Sequence, residues 1–232
     1  MKFSKKAYLF VLPLLSSTCL SLTSHAMDDL YEEKVFSSSE IRGLKFTTDT
    51  GKIDISASSE ETSKIQFKKI SGAGNVAFSV VGGELRIEST NSPNGGCNVN
   101  YRAFVPKGTP VNITTGKSDI SVEGMGDLDV TAGSMSLRAR NNVGTANLQY
   151  SSGEAHIRYD ELPPYPYSFM INSSRGLTSF YLPPESTVKV SSARPNVNSD
   201  FVSSLKAHFS FIFNSSSGKL NIKKNSVDES KL

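Results

Sequence analysis

The sequence predicts an all-β protein: a single-domain stack of short strands with glycine corners, in the manner of a β-solenoid. An antiparallel β-sandwich is the alternative. Three observations carry this. The 232 residues include 38 serines and 17 glycines, no tryptophan, and 37% hydrophobic residues. Ser, Thr, Asn and Gly compete with helix formation, whereas the recurring Val, Ile and Phe suit pleated strands and exclude plain disorder. From Leu44 onward apolar and polar residues alternate in short runs, as in Lys52-Ile53-Asp54-Ile55-Ser56, Lys64-Ile65-Gln66-Phe67-Lys68 and Glu84-Leu85-Arg86-Ile87-Glu88. A period of two puts one face inward and the other in water. Finally, the runs repeat one another around a glycine, where a positive φ costs little.

The chain opens with a segment of another kind. Lys2, Lys5 and Lys6 precede an apolar stretch from Ala7 to Leu22, and Ser24-His25-Ala26 presents small residues to a signal peptidase. This is the plan of a signal peptide over 1–26, cleaved after Ala26, with an apolar core shorter than the roughly 20 residues of a membrane span. A retained, lipidated Cys19 is disfavoured, because Ser16-Ser17-Thr18 lacks the aliphatic residue expected three places before it. The expected organisation is therefore signal 1–26, solenoid-like domain 27–224 and flexible tail 225–232, in a protein exported to the periplasm or the cell surface. No second apolar stretch long enough to span a membrane follows. Removing three lysines from 25 basic residues leaves 22, against 22 acidic ones. A neutral mature chain without an apparent basic cluster argues against nucleic acid as a partner. Cys97 is the one remaining cysteine, so no internal disulfide is expected.

The strand runs are copies of a common step. Thr48-Asp49-Thr50-Gly51-Lys52-Ile53-Asp54-Ile55 matches Ile113-Thr114-Thr115-Gly116-Lys117-Ser118-Asp119-Ile120, with looser copies at 130–137, 150–157, 172–177 and 215–222. Gly116, Gly133, Gly153 and Gly176 lie 17, 20 and 23 residues apart, with half-steps beginning at Gly126 and Gly144. Such spacing suits successive coils, each of two or three short strands stacked on the last. A longer duplication aligns 104–115 with 181–192 without a gap. In both copies a strand ends at a proline, which donates nothing to a ladder, and a polar turn leads to the next strand. At the ends of the stack, residues 28–46 are expected to cover the first coil. Phe209, Phe211 and Phe213, with Ile212 between them, predict a strand apolar on both faces beside the last coil.

Val105-Pro106-Lys107-Gly108-Thr109 and the recurring Thr-Gly-Lys-Ser-Asp-Ile and Ser-Gly-Glu steps, behind a signal peptide, resemble the bacterial "putative adhesin" family over roughly Lys45 to Ile222. The resemblance implies a β-solenoid-like domain of an exported or envelope protein, and brings no catalytic residues with it. Leu162-Pro163-Pro164-Tyr165-Pro166-Tyr167 departs from the family pattern by interrupting the coils, and Ser118 and Met135 by replacing its usual aliphatic or acidic partners.

The chemistry-bearing residues are few. His156 alternates with Ala155 and Ile157 on a polar strand face, and His208 begins the phenylalanine run; without H-x-x-x-H or C-x-x-C spacing they predict no metal site. Cys97, after the turn Asn94-Gly95-Gly96, predicts a half-buried thiol rather than a nucleophile, and no G-x-S-x-G elbow is present. Asp54 and Asp119 occupy matching places after a Gly-Lys corner, and Asp127 and Asp129 flank Leu128. Stacking could gather such acids for calcium or for acid–base work on a glycan, but Asp54 and Asp119 read as distant in coil order. The proline-stiffened segment 160–167 offers Tyr165 and Tyr167, with Tyr159 nearby, as the candidate binding residues, since such rings stack on sugars or anchor protein partners. The alternative is a rigid crossover loop whose tyrosines pack on the stack. The function expected is thus non-enzymatic and adhesin-like: an exported envelope protein without cofactor, recognising a protein or glycan surface. The alternative is a glycan-active enzyme on a parallel β-helix.

Overall fold

The computed structural model describes residues 31–89, 96–193 and 196–225. The expected signal peptide 1–26, residues 28–30 of the expected cover, the Asn94-Gly95 turn and the tail beyond Asn225 lie outside them. Fifteen strands and no helix fill the described residues. In chain order they are β1 (Glu32–Ser37), β2 (Gly43–Ser58), β3 (Thr62–Ser71), β4 (Val76–Val81), β5 (Glu84–Ser89), β6 (Asn98–Pro106), β7 (Val111–Glu123), β8 (Leu128–Arg140), β9 (Ala146–Arg158), β10 (Tyr167–Ser173), β11 (Leu177–Leu182), β12 (Val188–Ser192), β13 (Val197–Ser199), β14 (Phe209–Ser215) and β15 (Lys219–Lys224).

The long strands β2, β7, β8 and β9 pair in parallel, and each has a corner in its middle. The burial pattern reveals it. In β7 the inward residues are Val111, Ile113 and Thr115, then Ser118, Ile120 and Val122, so the parity flips at Gly116-Lys117. A straight strand would send one half of these side chains into water. The flip makes two arms that share one interior. Thr115 and Ser118 join their hydroxyls across the corner at 2.6 Å, satisfying two buried polar groups. Later rungs divide the arms between two strands: β10 extends the first arm of β9, and β11 its second. Aromatic rings close the space between arms, with Phe46 5.5 Å from Tyr101 and Phe180 4.8 Å from Phe169 and 4.7 Å from Phe211.

The all-β class with glycine corners therefore stands, and its central pairs are parallel. The corner register differs from the sequence alignment in one respect. Gly116 pairs with the level of Gly133, as aligned, but Gly51 lies opposite Ser118 and Gly153 opposite Met135, two residues further on. A slip of two leaves every side chain on its own face, which is why the alternation tolerated it. The gap-free duplication holds: β7 begins at Val111 and β12 at Val188, each after a proline turn.

The order in space is not the order in the chain. β2 lies between β5–β6 on one side and β7 on the other, and β14–β15 lies between β10–β11 and β12–β13. Cover for the first coil thus comes mainly from elsewhere than 28–46: β3 pairs antiparallel with β6, and β4 with β5. β1 covers β3 in turn, while Leu44 and Phe46 belong to the core. The phenylalanine strand also departs from expectation. Phe209, Phe211 and Phe213 are buried, but Ile212 is 46% exposed beside its register partner Met170, so one face alone is inside.

Candidate functional site

Two adjacent rungs bring basic side chains together on the outer face of the second arm. On β8 the buried Leu137 and Ala139 alternate with Arg138 and Arg140; on β9 the buried Ala155 and Ile157 alternate with His156 and Arg158. Parallel register sets Arg138 against His156 and Arg140 against Arg158. It continues to Ser121 and Glu123 on β7, and to Ser179 and Tyr181 on β11. Adjacent rungs lie about 4.8 Å apart, so these side chains are neighbours although 17 to 23 residues separate them in sequence. All of them except Ser179 line a cavity of about 250 Å³. A second cavity, also about 250 Å³, is lined by Lys52, Asp54, Asp119, Ser136, Ser121 and Arg138; the last two belong to both. The two form one shallow trough.

Asp160 organises one wall. Its Oδ2 accepts from Arg140 Nε at 3.0 Å and from Asn141 Nδ2 at 2.9 Å, and its Oδ1 accepts from Arg158 Nε at 2.6 Å. Its own N–H donates to Asn141 Oδ1 at 2.9 Å, and Asn141 holds a positive φ of 51° at this turn. Burial opposes ionisation here, but the hydrogen bonds from Arg158, Asn141 and Arg140 prevail and hold the carboxyl down at about 2. Arg138, in contrast, is exposed and makes no ion pair among the described residues. His156 stacks on Tyr181, centroids 6.3 Å apart, with Lys223 Nζ 5.9 Å from the same tyrosine ring. The His156 Nε2 lies 3.4 Å from Glu154, while Nδ1 is enclosed without a partner among the described residues.

Of the three tyrosines singled out in the sequence, Tyr159 and Tyr167 line a cavity of about 350 Å³ together with Lys107, Asn142, Leu162 and Pro163, among others. Tyr159 and Tyr167 are buried, their rings 5.8 Å apart and both against Phe209, and burial pushes both phenols up. Tyr165 is 54% exposed, its ring edge-on to Tyr167 at 5.2 Å. Of the three, Tyr165 is the one that offers its ring to solvent.

Asp54 and Asp119 are closer than their expected distance in coil order. β2 and β7 are adjacent rungs, with Lys52 opposite Asp119 and Asp54 opposite Ser121; Lys52 Nζ is 3.2 Å from Asp54 Oδ2. Asp127 is a turn residue, accepting from the Thr145 N–H at 2.7 Å. His208 Nδ1 accepts from the Thr187 N–H at 3.2 Å, which ties the approach to β14 to the approach to β12. Cys97 is fully buried rather than half-buried. Among the described residues no three His, Cys, Asp or Glu side chains gather as metal ligands.

The sequence reading missed the basic column because it weighed charge over the whole mature chain, where it cancels. The signal was present as Arg138-x-Arg140 and His156-x-Arg158, spaced by 18 residues, one turn of the stack.

No family model and no curated protein matches the chain. Solved structures similar to it include a "putative cell adhesion protein" from Clostridium sporogenes, 15% identical, covering 84% of this chain and 100% of that one, TM-score 0.49. A "putative adhesin" from Parabacteroides merdae is 12% identical over 86% of this chain and 98% of that one, TM-score 0.31. Another from Bacteroides fragilis is 12% identical over 84% and 97%, TM-score 0.26.

Proposed function

We propose that this protein is an exported, non-enzymatic recognition protein of the cell envelope, adhesin-like in that it presents a stack surface to a partner, with the second-arm trough as that surface. One observation supports this most: two adjacent rungs converge Arg138, Arg140, His156 and Arg158 on one open groove, and Arg138 makes no ion pair among the described residues. Exposed guanidinium groups on rigid strands suit binding, because their forks meet carboxylates bidentately. Tyr165, held in place by the buried Tyr167 and Tyr159, extends the surface beyond Asp160. No serine in the trough is hydrogen-bonded to a histidine or carboxylate among the described residues, so no activated hydroxyl stands there.

A glycan array probed with the wild-type protein and with Arg138→Glu tests the reading. Signals lost in the variant are expected; signals that persist unchanged would remove the trough from the proposal. Export has its own check. The mature protein should begin at or near Met27 on N-terminal sequencing, and intact Met1 recovered outside the cytoplasm would overturn it.

One observation favours the second reading, a glycan-active enzyme: Asp54 and Asp119 share a groove with Lys52 and Arg138. Against it, Lys52 holds Asp54 in an ion pair, which suits a carboxylate and not a proton donor. Release of new reducing ends from a bound glycan, abolished by Asp119→Asn, would favour the enzyme.

A further inference from the structure

We infer that the trough takes an acidic glycan in which carboxylate-bearing sugars alternate with uncharged ones; this rests on the recognition reading above. The argument begins with the distribution of charge along the trough. Arg138 lies at its middle, shared by both cavities, with an unpaired fork. Arg140 and Arg158 are already committed to Asp160, which fixes their planes and leaves their other N–H groups directed by the structure and not by the ligand. Glu123 stands opposite Arg140 and Asp119 opposite Lys52. The trough is therefore not uniformly positive. A polymer with a charge on every unit would set anions against Glu123 and Asp119, whereas isolated carboxylates could meet Arg138 alone.

The uncharged units have partners too. Ser121, Ser136 and the carboxylates of Asp54 and Asp119 supply hydroxyl and acceptor groups at the β2–β8 end. Hydroxyl-rich sugars satisfy such groups, where a bare inorganic anion would leave them in water. The rungs that carry these groups repeat at about 4.8 Å along the trough.

Calorimetric titration with a hyaluronan tetrasaccharide, in which uronate and neutral sugars alternate, tests the inference. Binding is expected, weakened about tenfold or more by Arg138→Gln, less by Arg138→Lys, and unchanged by Lys189→Gln on the distant β12. A heparin-derived tetrasaccharide should bind more weakly than hyaluronan, and Glu123→Gln should narrow that gap. Equal binding of maltotetraose would show that the carboxylate is irrelevant, and stronger binding of heparin would show a general polyanion site. Either result overturns the inference, as does Arg138→Gln binding like wild type. If hyaluronan fails to bind while trough-dependent signals appear on the glycan array, the ligand class falls and the recognition reading stands. Array signals that ignore Arg138→Glu would instead remove the trough from the recognition reading, and this inference with it.

Discussion

Phe211→Ser attacks the place where the two arms meet near the end of the stack. Phe211 is 1% exposed on β14, stacked on Phe169 at 5.1 Å with planes 19° apart and edge-on to Phe180 at 4.7 Å. Truncating a buried phenylalanine costs about 3–5 kcal/mol through lost transfer energy and the residual cavity. Serine adds a hydroxyl with no obvious partner among these rings, so the upper half of that range is expected, about 4 kcal/mol. With a urea dependence of about 2 kcal/mol per molar, the unfolding midpoint should fall by about 2 M. Ile212→Ser is the internal control: its side chain lies on the outer face, 46% exposed, and should cost under about 1 kcal/mol. Urea melts of both variants decide the matter. Equal midpoints for Phe211→Ser and wild type, or equal losses in the two variants, would refute the assignment of inner and outer faces on β14.

Gly153→Ala should destabilise by about 3 kcal/mol or more, because φ is +119° and a Cβ would sit 1.9 Å from the Met135 carbonyl oxygen of the rung below. Gly82→Ala, at φ +61° with open space around it, should cost only about 1 kcal/mol, and thermal melts of the pair separate crowding from backbone strain. Asp160→Asn should lower stability at neutral pH. Its folded pKa of about 2 lies below the ordinary 3.8, so its contribution is present above about 4 and is lost as pH falls toward 2. The full shift corresponds to about 2 kcal/mol, reduced to about 1 by solvent on its open side; chemical melts of wild type and variant should therefore converge between pH 4 and pH 2.

The alternation of Ile113, Ile120 and Leu137 with polar neighbours made the strands and their inward faces legible, because period two survives any tertiary arrangement. The proline turns before Val111 and Val188 were legible for the same local reason. What escaped was register and order. Gly51 and Gly116 look equivalent in sequence but occupy corner positions two residues apart, a slip that changes no face and so leaves no mark in the pattern. The order of the rungs, in which β7 lies beside β2 although β3 to β6 come between them in the chain, hid the adjacency of Asp54 and Asp119. The tyrosine segment was the most distinctive stretch in the chain, yet Tyr159 and Tyr167 serve the core, because an aromatic residue's composition says nothing of which way it points. The basic trough was the reverse case, an unremarkable set of residues made a site only by stacking.

The interleaved order of rungs bears on where such a site is placed. A stack built in chain order would leave its first and last strands as open edges, which invite pairing with other chains. Here β2 and β14–β15, the first and last rungs in sequence, are each held between two parallel neighbours. The outer positions fall to antiparallel β1, β3 and β4 at one end and to the short, largely polar β12 and β13 at the other. Between them β7, β8 and β9, each of 13 residues, pair along both arms without a break in register apart from the corners. These are the rungs that carry Ser121, Arg138, Arg140, His156 and Arg158. Strands paired on both sides hold outward side chains at fixed spacing with little left to order on binding, which favours an extended partner that repeats along the stack. On the proposed recognition reading, association therefore falls to the trough in the middle of the second arm and not to the ends.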